Sequence, residues 1–182
     1  MFPNQPDNYV AGVRRRQYTP LYDTLVLSSG AQAATLTMFG RTIGANGVNV
    51  TNMTKAYELP GTEAFMLNAL RVVPLAISEA DWILLLKGYI VRFIRGRAVE
   101  LEAGLEFFAG GAGIVTPLAT STTAVANGIA DPRAVASLMD QPIRIEGTDR
   151  FEVQLVGPAA VTTAGAVWLR VYLDGAFDKG VQ

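Results

Sequence analysis

Cysteine and histidine are both absent from this chain of 182 residues. The lack of cysteine excludes disulfides, thiolate nucleophiles and zinc–thiolate sites. The lack of histidine removes the most common general base and transition-metal ligand, and it excludes a Ser-His-Asp triad. We therefore expect a protein that is not an enzyme, with no catalytic residues, no cofactor and no bound metal.

Charged residues are scarce as well. They make up 17% of the chain, and the net charge is −1, so no global basic field draws it to nucleic acid or membrane. Lysine occurs three times, so 12 of the 15 basic residues are arginine, which suits interfaces. Half of the residues are hydrophobic, which indicates either a large core or apolar surface for partners.

Long apolar runs and targeting signals are also missing. No run of 18 apolar residues is present, which predicts no transmembrane helix. The N-terminus has two early prolines and no apolar segment, so we predict no signal peptide. The charge-free stretch over residues 107–130 predicts a long loop or extended segment, which could face a membrane or a partner.

Alternation of apolar and polar residues predicts about eight β-strands with long irregular links. Regular strand–helix alternation is absent, which disfavours a parallel α/β sheet. We therefore predict an all-β fold, an antiparallel eight-stranded jelly-roll sandwich with one or two short helices. The predicted core residues include Leu67, Phe93, Val153, Leu155, Leu169 and Val171.

The strand that begins near Glu63 is predicted to place Phe65, Leu67, Ala69 and Val73 on one face. Pro74 should end this strand or lie at a sheet edge.

Capping signals predict two short helices. The first begins after Ser78 as N-cap, has Glu79 and Asp81 in its first turn, ends at Lys87-Gly88 and buries Trp82. The second is predicted over residues 131–140, with aspartate as the cap and proline at the first helical position.

Residues 1–20 are predicted to form an extended N-terminal arm, because they include several prolines and show no periodicity. Residues 21–182 are predicted to form a single domain. The arm carries the one basic cluster, Arg14, Arg15 and Arg16. These arginines could bind phosphate on nucleic acid or lipid headgroups, pair with acidic residues of a neighbouring subunit, or remain solvated.

Two glutamates, Glu100 and Glu102, share one face of a predicted strand. Arg92 and Arg95 lie just before them, on what we predict to be the neighbouring strand. Cross-strand charge pairing is the simplest interpretation of this pattern, and a divalent cation bound by the carboxylates is the alternative.

Three segments resemble parts of small viral coat proteins. They are "TNMTKAYELPGTEAFMLNALRVV" from Thr51, with its polar lead and ELPG turn, "PLYDTLVLSS" from Pro20, and "FEVQLVG" from Phe151. The resemblance is to single jelly-roll capsid proteins of icosahedral, membrane-containing double-stranded DNA bacteriophages. It implies a structural subunit of the virion that self-assembles into the icosahedral shell and has no enzymatic activity or small-molecule substrate.

The partners implied by this resemblance are copies of the chain itself and other capsid proteins. The N-terminal arm could also contact an internal membrane or packaged nucleic acid. Three other functions stay open: a cement or decoration protein, a carbohydrate-binding jelly-roll module with Trp168 and Tyr172 as a stacking platform, and a histidine-free enzyme that uses carboxylates.

Overall fold

A computed structural model of the chain describes residues 15–61, 63–108, 112–115, 124–127, 136–137, 141–157 and 161–179. The strands are β1 Arg15–Tyr18, β2 Leu21–Leu27, β3 Gly30–Ala31, β4 Thr35–Met38, β5 Glu63–Ala76, β6 Ile90–Arg95, β7 Ala98–Gly104, β8 Ala112–Val115, β9 Ala124–Asn127, β10 Ala136–Ser137, β11 Ile143–Glu146, β12 Phe151–Val156, β13 Thr162–Thr163 and β14 Val167–Lys179. The helices are α1 Ile43–Asn46, α2 Glu79–Gly88 and α3 Leu105–Phe108.

Two antiparallel sheets hold most of these strands. The first has the order β2-β14-β5-β11, with β1 also on β14 and β10 also on β5. The second has the order β4-β12-β6-β7, and two small pairs, β3–β13 and β8–β9, lie outside these sheets. The prediction of an antiparallel all-β fold with short helices is therefore confirmed.

One hydrophobic core joins the two sheets. It takes buried side chains from β2, β5 and β14 in the first sheet and from β6 and β12 in the second, and Trp82 and Leu85 of α2 belong to the same cluster. The six core residues predicted from the sequence are all 0% exposed. This arrangement is a β-sandwich, in which the inner faces of both sheets supply the core.

The inward face of β5 changes along the strand. Phe65 is fully buried as predicted, but Ala69 and Val73 are only partly buried, and the fully buried residues are Leu70 and Val72. The prediction for Ala69 and Val73 was therefore wrong.

A β-bulge explains the change of face. Leu67 lies opposite Gly175 of β14 while Ala69 lies opposite Asp174, so Asn68 is an extra residue in β5. Since successive strand side chains alternate between faces, this extra residue moves the side chains from Ala69 to Pro74 to the face opposite the predicted one.

Pro74 lies inside β5, which continues to Ala76. Within the described part of the chain, β10 and β11 pair only with residues 64–70 of β5. Pro74 is thus on a part of the strand with a paired neighbour on one side, which agrees with the predicted edge position.

Helix α2 begins and ends where the sequence predicts. The Ser78 hydroxyl accepts a hydrogen bond from the Asp81 backbone N–H at 3.2 Å, and Lys87 lies in the last turn. Trp82 is completely buried. The predicted helix over residues 131–140 lies outside the described residues except for Ala136–Ser137, which form β10, so the helix prediction is wrong at those two positions.

The charge-free stretch is described in two pieces. Residues 112–115 and 124–127 pair as β8 and β9. These pieces are extended, as the sequence predicts for part of this stretch, and the rest of it lies outside the described residues.

Asp81 ties the start of α2 to the turn that precedes β14. Its carboxylate is 1% exposed and accepts backbone N–H groups of Ala164 at 2.8 Å and Gly165 at 3.1 Å, and the Ser78 hydroxyl at 2.8 Å. Burial alone would raise the pKa of Asp81, but these donated hydrogen bonds outweigh it and lower the pKa below its usual value.

We expect Asp81 to stabilise the fold in a pH-dependent way. Because its pKa is lower in the folded state, its contribution is present at neutral pH and is lost as the pH falls below about 4, through the folded pKa. Asp81→Ala should lower the free energy of unfolding by about 2–3 kcal/mol near pH 7 and by less in acid. Denaturant titrations of both proteins at several pH values measure this difference, and a pH-independent difference would contradict the assignment.

Candidate interaction surface

The outer edge of β2 is covered by the loop over residues 49–54. The Asn52 side chain accepts the Tyr22 backbone N–H at 2.8 Å and donates to the Pro20 carbonyl oxygen at 2.8 Å. The Thr51 hydroxyl donates to the Tyr22 carbonyl oxygen at 3.0 Å. The loop therefore supplies the donors and acceptors of a neighbouring strand and shields this edge from further pairing.

Side chains also form hydrogen bonds with the backbone of Thr24, the next residue of β2 whose N–H and C=O groups point away from the sheet. The Thr24 N–H donates to Asp23 at 3.0 Å, and the guanidinium of Arg41 donates to the Thr24 carbonyl oxygen. The second oxygen of Asp23 accepts the N–H of Phe39 at 2.6 Å, where the backbone is left-handed with a φ of 69°. Asp23 thus holds a turn that a phenylalanine rarely adopts.

Burial raises the pKa of Asp23, and the hydrogen bonds from Phe39 and Thr24 and the charge of Arg41 only partly offset this. Because its pKa is higher in the folded state, ionisation of Asp23 lowers the free energy of unfolding as the pH rises. Ionisation of Asp81 has the opposite effect. The comparison of the native chain with Asp81→Ala cancels this contribution, because Asp23 is present in both proteins.

The opposite edge of the same sheet, β11, is covered in a similar way. The Arg95 guanidinium donates to the Arg144 carbonyl oxygen at 2.8 Å, and the Glu146 N–H donates to the Asp149 carboxylate at 3.0 Å. Side chains therefore satisfy backbone groups along β2 at one edge of the first sheet and along β11 at the other, which limits strand addition at these two strands.

The outer face of the first sheet carries arginines that lie over tyrosine rings. Arg71 lies 5.0 Å and Arg170 6.0 Å from the centre of the Tyr172 ring, and Arg170 lies 4.9 Å from that of Tyr22. Arg71 also forms a two-pronged ion pair with Asp174. We call this group the Arg–Tyr face, and its residue types are those enriched at protein interfaces.

An apolar row borders the Arg–Tyr face. Trp168 lies opposite Val26 on one side and Ala76 on the other, and Leu75 precedes Ala76. The exposed fractions of Trp168, Val26 and Leu75 are 37%, 40% and 42%. Three neighbouring strands therefore present apolar side chains to the surroundings at one end of the sheet.

The glutamate pair is explained by charge pairing. Arg92 forms an ion pair with Glu102, and Arg95 with Glu100 at 2.7 Å, across the β6–β7 register. Cross-strand pairing is thus confirmed for both. In the described ranges, no cluster of three or more acidic side chains is placed to hold a metal ion.

The predicted arginine cluster lies at the start of the described chain. Arg14 is outside the described residues, and Arg15 and Arg16 are in β1, opposite Lys179 and Asp178 of β14. The last part of the predicted arm, residues 15–18, is therefore paired with the first sheet.

An open cleft of about 660 Å³ lies at the end of α2. Its lining includes Lys87, Gly88, Glu106 and Gly157. We assign no ligand to it, because these residues do not define a recognition pattern for any one chemical class.

The residues that cover the sheet edges were not identified as functional from the sequence. One signal was present for Asp23, which is a charged residue inside an apolar strand. Asn52 and Arg41 lie in a glycine- and asparagine-rich loop, where their contacts with β2 depend on long-range folding.

No helix in the described part of the chain is long and apolar enough to cross a lipid bilayer. No protein-family model, curated protein or solved structure matches this chain.

Proposed function

We propose that this chain is a bacteriophage capsid protein, a jelly-roll subunit that self-assembles into an icosahedral shell. The observation that carries the proposal is the strand order. The two sheets contain eight main strands, which in chain order are β2, β4, β5, β6, β7, β11, β12 and β14. When these are numbered 1 to 8, the first sheet has the order 1-8-3-6 and the second 2-7-4-5. This interleaving of early and late strands is what two folded Greek keys produce, and jelly rolls of this kind are typical of viral capsids and lectins.

The surface also supports self-assembly. The Arg–Tyr face and the apolar row beside it combine tryptophan, tyrosine and arginine on one side of the first sheet. Such a surface suits burial against another protein, with apolar contact in the middle and charge-assisted hydrogen bonds at the rim.

The carbohydrate-binding alternative needs the rings of Trp168 and Tyr172 to be available for stacking on a sugar. Two guanidinium groups lie over or near the Tyr172 ring, so a sugar would have to displace them. This weighs in favour of the capsid proposal, and a glycan array tests the alternative directly.

Sedimentation velocity of the purified chain over a range of concentrations tests the capsid proposal. We expect species much larger than the 19.5 kDa subunit, formed cooperatively as concentration rises. A chain that stays monomeric at every concentration and binds glycans would overturn the proposal. A chain that stays monomeric but binds to a preformed shell would instead indicate a decoration protein.

The N-terminal arm is expected to contribute to assembly rather than to folding. Deletion of residues 1–14 leaves β1 in place, so the melting temperature should stay nearly unchanged while assembly is impaired. Salt should weaken assembly of the full chain more than that of the truncated chain, because exposed ionic contacts are screened over about 10 Å at 0.1 M.

A charge variant separates the arginines from the rest of the arm. Replacing Arg14, Arg15 and Arg16 with glutamine should reduce the salt dependence of assembly, whereas replacing the exposed Lys55, Lys87 and Arg97 should not. Equal assembly of all variants at every salt concentration would show that the arm has no role.

A further inference from the structure

Strands β1 and β2 form one continuous line along β14. The register that pairs Arg15 with Lys179 reaches Leu27 and Val167 without a slip. The line is interrupted only at residues 19–20, where Pro20 lacks a backbone N–H. In both strands, therefore, the same alternate residues point their backbone N–H and C=O groups toward β14, and the residues between them point these groups away from it.

In β1 and β2, the backbone N–H and C=O groups that point away from β14 have different surroundings. Those of Tyr22 and Thr24 in β2 are satisfied by Asn52, Arg41 and their neighbours. The same alternation directs the N–H and C=O groups of Arg16 and Tyr18 outward from β1. Among the described residues, no backbone group outside β14 is bonded to these outward groups.

The end of the open strand is also apolar and exposed. The side chain of Tyr18 is 73% exposed, the largest fraction among the large hydrophobic side chains described. A strand edge with unsatisfied backbone groups and an exposed aromatic residue favours the addition of another strand.

We propose that β1 pairs antiparallel with β1 of a second copy, centred on Gln17. Arg16 then lies opposite Tyr18 of the second copy, and the two residues exchange both backbone hydrogen bonds. Gln17 lies opposite itself, so no arginine lies directly opposite another arginine, which avoids the least favourable like-charge arrangement. The edge is self-complementary, as a two-fold interface requires.

The β1 pairing is one interface of the self-assembly proposed above, and the inference rests on that proposed function. The strand is short, so an isolated pair binds weakly, and several such contacts in one shell act together. Covalent capture is therefore the suitable test.

A single introduced cysteine tests the pairing, because the chain has no native cysteine. The Gln17 pair is of the non-hydrogen-bonded type, with Cα atoms about 4.5 Å apart, which lies within the range of a disulfide. Under mild oxidation, Gln17→Cys should become mainly a disulfide-linked dimer. The control Arg97→Cys, exposed in the turn between β6 and β7 of the second sheet, should stay mainly monomeric.

A second pair of variants tests the backbone contact. In the Gln17→Cys chain, Tyr18→Pro removes the outward N–H and should abolish most of the crosslinking. Tyr18→Thr keeps that N–H and a β-forming side chain, so it should retain crosslinking. Melting temperatures of both variants check that the fold is intact.

The outcomes separate this inference from the proposed function. Large assemblies without preferential crosslinking at position 17 would overturn the β1 pairing and leave the capsid proposal standing. A crosslinked dimer without large assemblies would support the pairing and contradict the capsid proposal. Crosslinking only after deletion of residues 1–14 would show that the chain's own N-terminal segment occupies the edge, which would also overturn the pairing.

Discussion

Replacement of Leu169 with aspartate is expected to prevent folding. Leu169 is 0% exposed and lies in β14, which is the central partner of β2 and β5. An unpaired carboxylate in this core costs several kcal/mol, against a total stability of about 5–15 kcal/mol for a typical domain. The variant should therefore be insoluble or lack a cooperative melting transition by circular dichroism.

The matched control is Val26→Asp, on β2 in the same sheet. Val26 is 40% exposed and lies opposite Trp168 on the outer face, so its new carboxylate remains in water. We expect this variant to fold with a modestly lower melting temperature. A Leu169→Asp protein that is soluble and melts like the native chain would show that the inward face of β14 is assigned incorrectly.

Truncation of Trp82 to alanine should lower the free energy of unfolding by about 3–5 kcal/mol, because the whole side chain is buried in the core. Ser78→Ala in the same helix should cost only about 1–2 kcal/mol, since it removes the capping hydrogen bond and the one that the hydroxyl donates to Asp81. Denaturant titration of the two variants measures both values. A milder effect at Trp82 than at Ser78 would mean that α2 faces outward.

A phenylalanine at the same position gives a further control. The indole Nε1 of Trp82 is buried and has no hydrogen-bond partner in the described structure. Trp82→Phe removes this unpaired donor and retains an aromatic ring, so it should cost clearly less than Trp82→Ala.

Much of the sandwich could be predicted from the sequence because its signals are local. Two-residue alternation identifies the inward residues of β6, β12 and β14 without knowledge of their neighbours. Ser78 and Asp81 likewise lie within one turn of each other, so the start of α2 is defined by adjacent residues.

Features that depend on long-range pairing were not predictable in this way. The bulge at Asn68 exists only relative to β14, and it changes which residues of β5 face inward. The contact of Asn52 with Tyr22 joins residues 30 positions apart, and nothing local in either segment specifies it. The register of β1 with the C-terminal strand connects the two ends of the chain.

Electron microscopy of the purified chain of 182 residues shows directly whether it forms a shell. If the chain is a shell subunit, concentrated samples should contain closed particles or regular capsomers of uniform size. Deletion of residues 1–14 should reduce their number while leaving the subunit folded. Fields that contain only dispersed monomers over a wide range of concentration and salt would contradict the account.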